Sequence, residues 1–329
     1  MSELSDILDA AEAMAARDDP MALATVVATR GSTYRRAGAR LLIPAEGEPI
    51  GNISGGCLEG DVARIGREVI ASGVPRTVEF DMTADDDAVW GYGLGCNGDI
   101  ELFVEPSPSA LEAIAALRDG ATGCLVTTLT GPRAGSHRLE ADGDQVTRIE
   151  EVNGERVFHE PLLPSFRLIV CSAGHDAIPL VRQAAELGWR VVVTDVRRTL
   201  LNARRFPGAA EFASPDPEAA ATVLAPDGRT AVVVMSHNYL RDIAYLRSFL
   251  DTPLAYLGVL GPRGRTAQML EQMGRPEAME RLHAPAGLDI GADGPEEVAR
   301  AIVAEILAVT RGRDGGPLRD RRAAIHGEG

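Results

Sequence analysis

The sequence predicts an α/β protein in two parts, an N-terminal mixed α+β domain followed by a C-terminal domain built on a parallel sheet. The chain has 329 residues, enough for about two domains of ~150 residues each. From residue 167 onward, short apolar strands alternate with helical stretches, which is typical of a parallel sheet covered by helices on both faces. Pro161 and Pro164 mark a break in composition between the two patterns. The expected parts are domains at 1–157 and 167–310, a linker at 158–166 and a mobile polar tail at 311–329.

The N-terminal half mixes helices with strands. After a pair of glycines, the apolar positions Leu58, Val62, Ile65 and Val69 recur at the spacing of a helix, which Gly73 ends. Further helices are predicted at 3–17 and 110–118. The predicted strands are 21–29, 40–43, 49–53, 76–80, 99–104, 123–128, 136–140 and 145–149.

In the C-terminal half, the predicted strands are 167–171, 190–194, 230–235 and 255–259. The helices predicted between and after them are 175–187, 217–223, 240–249 and 295–309. The carboxyl ends of parallel strands share one edge of a sheet, and open α/β sheets bind their ligands at that edge. Residues that directly follow these strands are therefore the first candidates for a binding site.

The turn after the first of these strands resembles a dinucleotide fingerprint. In that fingerprint, three glycines allow a tight turn, close approach of a pyrophosphate and close helix packing. Ser172, Gly174 and Ala177 hold the three places here, so only the middle glycine is kept. Asp195 ends the second strand, where an acid normally binds a ribose hydroxyl, while Arg197 could hold a phosphate instead. The pattern predicts a Rossmann-like domain and leaves NAD, NADP and another nucleotide-like ligand open.

Other polar residues are expected at the same edge. His237 follows the strand at 230–235, and Pro262 and Arg263 follow the strand at 255–259 and open a helix. His283 and Asp289 lie on a later loop that the sequence does not place. The binding candidates at this edge are Ser172, Ala173, Gly174, His175, Asp195, Arg197, His237, Pro262 and Arg263.

Two glycine-flanked cysteines form a second set of candidates. Glycine leaves the backbone around each sulfur bare, so that a ligand can approach closely and meet free N–H donors. Cys57 is expected in the first turn of its helix, where the helix dipole favours a thiolate and the charges of Glu59 and Asp61 disfavour it. A thiolate could bind a soft metal, attack an electrophile or carry sulfur. The candidates are Cys57 and Cys96 as reactive thiols, with Gly55, Gly56, Glu59, Gly95 and Asn97 around them.

The sequence predicts no further reactive thiol and no metal site. Cys124, inside a strand, and Cys171, at the end of a core strand, are expected to be packing residues. No zinc-type spacing is present, so no metal site is predicted. The two glycine motifs precede the dinucleotide-like turn, and we expect a pocket of soft atoms to face a nucleotide-type pocket.

Composition limits the partners. The net charge of −15 repels phosphate backbones and anionic membranes, so we expect neither nucleic acid nor a membrane as a partner. All 33 basic residues are arginine, which excludes Schiff-base catalysis and a phosphate-binding lysine. No export signal or long apolar run is visible, and a cytoplasmic location is expected.

Short motifs along both halves carry a family resemblance. In the N-terminal half they are Thr29-Arg30-Gly31-Ser32, Gly38-Ala39-Arg40, Ser54-Gly55-Gly56-Cys57-Leu58-Glu59-Gly60, Gly93-Leu94-Gly95-Cys96-Asn97-Gly98 and Glu105-Pro106. In the C-terminal half they include Ala173-Gly174-His175, Arg205-Phe206-Pro207, Met235-Ser236-His237 and Gly287-Leu288-Asp289-Ile290-Gly291-Ala292. In this order the chain resembles the XdhC/CoxI family, the accessory proteins of molybdenum hydroxylases such as xanthine dehydrogenase and carbon monoxide dehydrogenase.

The resemblance implies a cofactor-insertion chaperone rather than an enzyme. Such a protein binds the molybdenum cofactor of the molybdopterin type, protects it, supports its sulfuration and delivers it to an apo-hydroxylase, with a cysteine desulfurase as a further partner and a homodimer as the expected assembly. Cys57 and Cys96 would contact the metal or its sulfur, and the glycine loops would contact the pterin. The Rossmann-like edge would take the phosphate or nucleotide end.

Departures from the family pattern leave a second function open. Tyr34 and Ala37 stand where the family often has proline, and Ser172 replaces the expected first glycine of the turn. These changes are compatible with an NAD(P)-dependent oxidoreductase that holds a small substrate near Cys57. A pure interaction scaffold is the third interpretation.

Overall fold

The computed structural model describes residues 3–31, 33–81, 98–106, 122–141, 143 and 146–322. These residues fall into two compact units, an N-terminal unit that ends at Pro164 and a C-terminal unit that begins at Ser165. Each unit has its own hydrophobic core. The predicted helix at 110–118 lies outside the described residues.

In its described residues, the N-terminal unit contains two antiparallel sheets and two helices. The first sheet has the order β3-β2-β1-β5-β4 and the second has the order β7-β6-β9-β8. The helices are α1 (Glu3–Ala15) and α2 (Glu59–Ser72). The strands are β1 (Met21–Gly31), β2 (Arg40–Pro44), β3 (Ile50–Gly51), β4 (Arg76–Asp81), β5 (Gly98–Glu105), β6 (Gly123–Thr128), β7 (His137–Glu140), β8 (Arg148–Val152) and β9 (Glu155–Leu162).

Helix α2 covers one face of the first sheet. Its buried side chains Val62, Ile65 and Val69 are the apolar positions that the helical spacing predicted, and they join a core cluster with Leu41 and Ile43 of β2. Each Å² of apolar surface that these side chains bury stabilises the packing by about 25 cal/mol. This burial holds the helix on the sheet. The loop that precedes α2 is therefore anchored to a rigid element.

The second sheet and α1 supply apolar side chains to two further clusters. Leu125 and Leu162 pack with Leu23 of β1, and Phe158 packs with Phe103 of β5. Buried polar contacts accompany this packing. Arg40 of β2 pairs with Glu160 of β9, and a polar contact joins Oε2 of Glu105 in β5 to Nε2 of His137 in β7 at 2.6 Å. These contacts tie the two sheets into one unit.

Part of the predicted linker is strand. Residues 158–162 are the last five of the eight residues of β9, which pairs with β6 from Val157 to Leu162, so the connection to the C-terminal unit is limited to 163–166. The pair Pro161 and Pro164, at a break in composition, predicted a linker. Proline is also rare in central strands because it lacks the N–H that the ladder uses. At Pro161 the described ladder has only β6 as a neighbour, because pairing with β8 ends at His159. The missing N–H therefore costs no ladder bond on that side.

The C-terminal unit is a five-stranded parallel sheet of order β12-β11-β10-β13-β14. Its strands are β10 (Arg167–Cys171), β11 (Arg190–Thr194), β12 (Glu211–Ala213), β13 (Thr230–Val234) and β14 (Tyr256–Val259). Its helices are α3 (Ala177–Glu186), α4 (Ala220–Leu224), α5 (Tyr239–Phe249), α6 (Arg263–Met273) and α7 (Pro295–Thr310). The chain winds outward from β10 through β11 to β12 and then returns to β13, so the strand order reverses between β10 and β13.

Helices cover both faces of this sheet. On one face, Leu180 of α3 and Ile302 of α7 pack against Leu168 and Val170 of β10. On the other face, Leu246 of α5 and residues of α4 and α6 pack against the alternate strand side chains. The predicted fold class, an N-terminal mixed unit followed by a Rossmann-like parallel sheet, is confirmed. No helix in the described ranges is both long enough and apolar enough to span a membrane.

Gly66 sets how closely α2 approaches the first sheet. A Cβ atom at Gly66 would lie 2.4 Å from the Cδ1 atom and 2.9 Å from the Cγ2 atom of Ile43. We expect Gly66→Ala to lower the free energy of unfolding by about 1–2 kcal/mol, because overpacking outweighs the helix propensity gained. Gly60→Ala is the matched control on the same helix, since nothing lies within 4 Å of its added Cβ. Thermal unfolding of both variants tests this, and equal melting temperatures would contradict it.

Candidate functional site

The loop that carries Cys57 is built around one carboxylate. We call residues 52–58 the Cys57 loop. Glu59, the first residue of α2, lies directly after this loop, and its side chain turns back into it. Its Oε1 atom accepts the N–H groups of Ile53 (3.1 Å) and Ser54 (2.9 Å), and its Oε2 atom accepts those of Gly56 (2.9 Å) and Leu58 (3.2 Å) and the Ser54 hydroxyl (2.5 Å).

The hydrogen bonds to Glu59 stabilise its charged form. Burial favours the neutral acid, but the Ser54 hydroxyl and the N–H groups of Ser54 and Ile53 outweigh it, and the pKa of Glu59 is lowered. A carboxylate that accepts several N–H bonds is a stable internal anion. Glu59 is therefore an anchor of the loop, and loop N–H donors that were predicted to face a ligand point to Glu59 instead.

Two glycines let the loop close around this carboxylate. Gly55 has a φ of +84° and Gly56 has a φ of +111°, a region that side chains disfavour. The Gly55 N–H donates to Oδ1 of Asn52 at 2.9 Å, and the ring of Tyr34 lies against Gly55, 3.4 Å from the position of an added Cβ. Nothing lies within 4 Å of a Cβ added at Gly56. The loop is open on the side of Gly56.

Cys57 lies before the helix rather than in its first turn. Helix α2 begins at Glu59 with Leu58 as its N-cap, so Cys57 is two residues short of the predicted position. The reason is that Leu58 is fully buried and its N–H group donates to the Ser54 hydroxyl at 2.8 Å, which holds the chain in a turn up to that point. The Cys57 side chain is partly exposed, and its thiol is free.

The other described cysteines are buried. Cys124 and Cys171 are both 0% exposed, and burial raises the pKa of the Cys171 thiol well above its usual value. A buried neutral thiol is inert, whereas a reactive thiol needs exposure and ionisation. Among the three cysteines that the structure describes, Cys57 is thus the one that a ligand can reach.

Cys96, Gly95 and Asn97 lie outside the described residues. The expected meeting of the Cys57 and Cys96 sulfurs therefore stays a prediction. Within the described part of the chain, no group of three or more His, Cys, Asp or Glu side chains is arranged to hold a metal ion.

The second set of candidates surrounds the turn after β10. The hydroxyl of Ser172 accepts the N–H of Gly174 at 2.9 Å, so the serine closes the turn that the fingerprint glycine would make. The Ala173 N–H donates to Oδ2 of Asp195 at 2.7 Å. His175 and Asp176 follow, and α3 begins at Ala177 rather than at His175. The turn is held by polar contacts of its own.

Asp195 has all of its acceptor positions filled. Its Oδ1 atom accepts the Arg197 N–H (2.8 Å) and Nε (3.0 Å), and its Oδ2 atom accepts the Ala173 N–H (2.7 Å) and Arg197 Nη2 (2.6 Å). Burial favours the neutral acid, but these bonds outweigh it and lower the pKa of Asp195. A carboxylate offers about four lone-pair sites. The geometry therefore gives no support to the predicted ribose contact at Asp195 or to a phosphate contact at Arg197.

We expect Asp195→Asn to destabilise the C-terminal unit by about 2 kcal/mol, because an amide cannot accept all four donors and leaves buried groups unpartnered. Asp289→Asn is the control, since Asp289 is an exposed aspartate on a loop of the same unit. Urea unfolding of both variants measures the difference. Equal midpoints for the two variants would contradict this role for Asp195.

His237 and the start of α6 complete the edge. His237 follows β13 with a φ of +56°, and its Nε2 atom lies 2.8 Å from Oδ2 of Asp176 in the turn after β10. This pair crosses the point where the strand order reverses. Pro262 is the N-cap of α6 and Arg263 is its first residue, and both are exposed.

The structure thus brings Ser172, Ala173, Gly174, Asp195, Arg197 and His237 together at the carboxyl ends of β10, β11 and β13. The loop with His283 runs beside β14, where the His283 N–H donates to the Leu257 carbonyl at 3.0 Å.

Sequence reasoning missed Arg205, whose Nε donates to the Ala173 carbonyl at 3.2 Å. Its place in the Arg205-Phe206-Pro207 motif was the available signal.

Comparison with known proteins agrees with both halves of this picture. The description "XdhC and CoxI family" matches residues 14–81, and "XdhC Rossmann domain" matches residues 168–306. A Bacillus subtilis protein, named as a probable xanthine dehydrogenase subunit, is 32% identical over 87% of this chain and 92% of that protein. The chain belongs to the XdhC and CoxI family.

Two further relatives carry different names. The Escherichia coli molybdenum cofactor insertion chaperone PaoD is 26% identical, over 87% of this chain and 82% of that protein. A crystal structure from Bacillus halodurans described as a xanthine dehydrogenase is 32% identical, with a TM-score of 0.80 over 95% of this chain and 97% of that one. The family resemblance predicted from the motifs is confirmed.

The two XdhC matches cover the two candidate sites separately. The Cys57 loop and Glu59 fall inside residues 14–81, and the turn after β10, Asp195 and His237 fall inside residues 168–306. Both sites therefore lie within the matched ranges.

Proposed function

We propose that this chain is an accessory protein that binds the molybdenum cofactor as cargo, protects it, supports its sulfuration and delivers it to an apo molybdenum hydroxylase. One observation carries the proposal. Cys57 is a free, partly exposed thiol on a loop held from inside by Glu59. A relative similar over most of its length is named a molybdenum cofactor insertion chaperone.

The chemistry of the Cys57 loop suits this cargo. A thiolate is a soft ligand for molybdenum or for a sulfur bound to it. The open side at Gly56 lets a flat ring system come close to the backbone, as a pterin requires. Cys96 is proposed as the second thiol, and its sequence neighbours Gly95 and Asn97 are proposed as further contacts. One or two thiolates hold a metal less firmly than a closed four-ligand site does, which suits a cofactor that must leave again.

The carboxyl edge of the parallel sheet is proposed, as a separate part of this function, to bind a phosphate or nucleotide group. The candidates at or near the reversal of strand order are Ser172, Ala173, Gly174, His175 and His237. Two more, Pro262 and Arg263, lie at the start of α6. Open α/β sheets bind ligands at such a reversal. The same proposal names a cysteine desulfurase as sulfur donor, a homodimer as the assembly and the cytoplasm as the location.

The test is a direct choice between two ligands. The purified chain is incubated without oxygen with molybdenum cofactor released from a hydroxylase, and in parallel with NADH, and each mixture is passed through a gel-filtration column. We expect oxidised-pterin fluorescence to elute with the protein and NADH to elute separately. The loaded protein should also activate an apo-hydroxylase more than free cofactor does. Retention of NADH without retention of pterin would favour the NAD(P)-dependent oxidoreductase and overturn the proposal.

A further inference from the structure

Arg205 is fixed beside the turn where the strand order reverses. Its Nε atom donates to the Ala173 carbonyl at 3.2 Å, and the N–H of the same Ala173 is held by Asp195. The side chain of Arg205 is partly buried. The guanidinium therefore has a defined place next to Ser172, Ala173 and Gly174.

The backbone of Arg205 is also held. Its N–H donates to Oδ1 of Asn202 at 3.0 Å, and the N–H of Phe206 donates to the Asn202 carbonyl at 3.1 Å. Phe206 is 1% exposed and belongs to the core beside β10 and α3. The guanidinium carbon of Arg205 lies 5.7 Å from the centre of the Phe206 ring. A long side chain held at both ends loses little further entropy when it binds a ligand.

Arg205 differs from two other arginines of the C-terminal unit, each of which has a carboxylate beside it. Arg197 lies 2.6 Å from a carboxylate oxygen of Asp195, and Arg265 lies 2.6 Å from one of Asp242. Among the residues that the structure describes, Arg205 has no carboxylate oxygen within 4.0 Å. A partly buried cation without a counter-ion keeps its attraction for an anion from solution.

We propose that Arg205 binds a phosphate group of the ligand through its two Nη atoms, at the reversal point between β10 and β13. The guanidinium is a planar fork of five N–H donors, and the Ala173 carbonyl takes only the Nε donor. The Nη donors match the spacing of two phosphate oxygens. The chain has no lysine, so arginine and backbone N–H groups must hold any phosphate.

This inference rests on the proposed function for the identity of the ligand, and it is tested without that ligand. Inorganic pyrophosphate is titrated into the parent protein and into Arg205→Gln, and the heat of binding is measured. We expect the parent to bind and Arg205→Gln to bind about tenfold or more weakly, as for a lost charge-assisted pair. Arg204→Gln, at the exposed neighbouring arginine, changes the net charge equally and is expected to bind like the parent.

Each other result overturns the inference. These are a parent that does not bind pyrophosphate, an Arg205→Gln variant that binds like the parent, and an Arg204→Gln variant that weakens binding as much. If Arg205→Gln does not fold, Arg205→Lys keeps the charge without the fork, and unchanged affinity in that variant contradicts the proposal. Pterin retention is measured on the same samples, so loss of pyrophosphate binding with retained pterin, or the reverse, separates this inference from the proposed function.

Discussion

Replacing Glu59 with alanine is expected to disorder the Cys57 loop and to weaken retention of the molybdenum cofactor. The substitution leaves the N–H groups of Ile53, Ser54, Gly56 and Leu58 and the Ser54 hydroxyl without their shared acceptor. Unpartnered buried donors cost about 1–3 kcal/mol each, and water reaches some of these, so we expect a total loss of about 2–3 kcal/mol. Thermal unfolding and pterin retention measure the two effects.

A control on the same helix separates this effect from loss of charge. Glu68 of α2 pairs with Arg64 and Arg76 at the surface, and exposed pairs of this kind contribute little. Glu68→Ala is therefore expected to change neither property by a comparable amount. If Glu59→Ala and Glu68→Ala behave alike, Glu59 is not the anchor of the loop.

The lowered pKa of Glu59 gives the same prediction a pH dependence. A carboxylate whose pKa is lowered in the folded state contributes stability that is fully present above the ordinary value of 4.5. This contribution is lost as the pH falls through the folded pKa, because the protonated acid no longer accepts all the N–H groups. We expect Glu59→Gln to be less stable than the parent at neutral pH and to approach the parent in acid. Urea unfolding across this range measures the convergence.

Replacing Cys57 with alanine is expected to have the largest effect on cofactor retention and almost none on stability. Its side chain is partly exposed, lies at the margin of the core beneath α2 and makes no disulfide, so the packing lost is that of one small group at the edge of the core. Loss of a residue that only orients a metal ligand costs 10–100-fold in affinity, and loss of the ligand itself should cost at least about tenfold. Retained pterin is measured after gel filtration. Cys124→Ala, at a buried thiol, is the matched control, and equal retention in the two variants would refute the role of Cys57.

Strands with strong local signals were predicted well. The strands at 123–128, 167–171 and 190–194 begin and end where predicted, because each is an apolar run closed by a turn or a polar residue. Strand β12 was missed because its three residues, Glu211–Ala213, carry no pattern. Strand β9 was missed because Pro161 hid it, and only the pairing shows that this position needs no N–H on its second side.

The candidate site was predictable in its residues but not in its contacts. The glycines around Cys57 were visible in the sequence, whereas the direction of the Glu59 side chain depends on how the loop folds back over it. The same limit applies to the sheet edge. Asp195 has the position of a ribose ligand, yet its oxygens are filled by Ala173 and Arg197. Arg205 reaches Ala173 across 32 positions of sequence, a contact that no local pattern reveals.

The most direct test of the central claim is protection of the Cys57 thiol by the cofactor. The native protein is treated with iodoacetamide, with and without released molybdenum cofactor, and the alkylation of each cysteine is followed by peptide mass spectrometry. At a cofactor concentration ten times the dissociation constant, occupancy predicts that Cys57 reacts about tenfold more slowly. The buried thiols of Cys124 and Cys171 should stay unreacted in both samples. A rate at Cys57 that is the same with and without the cofactor would contradict the account.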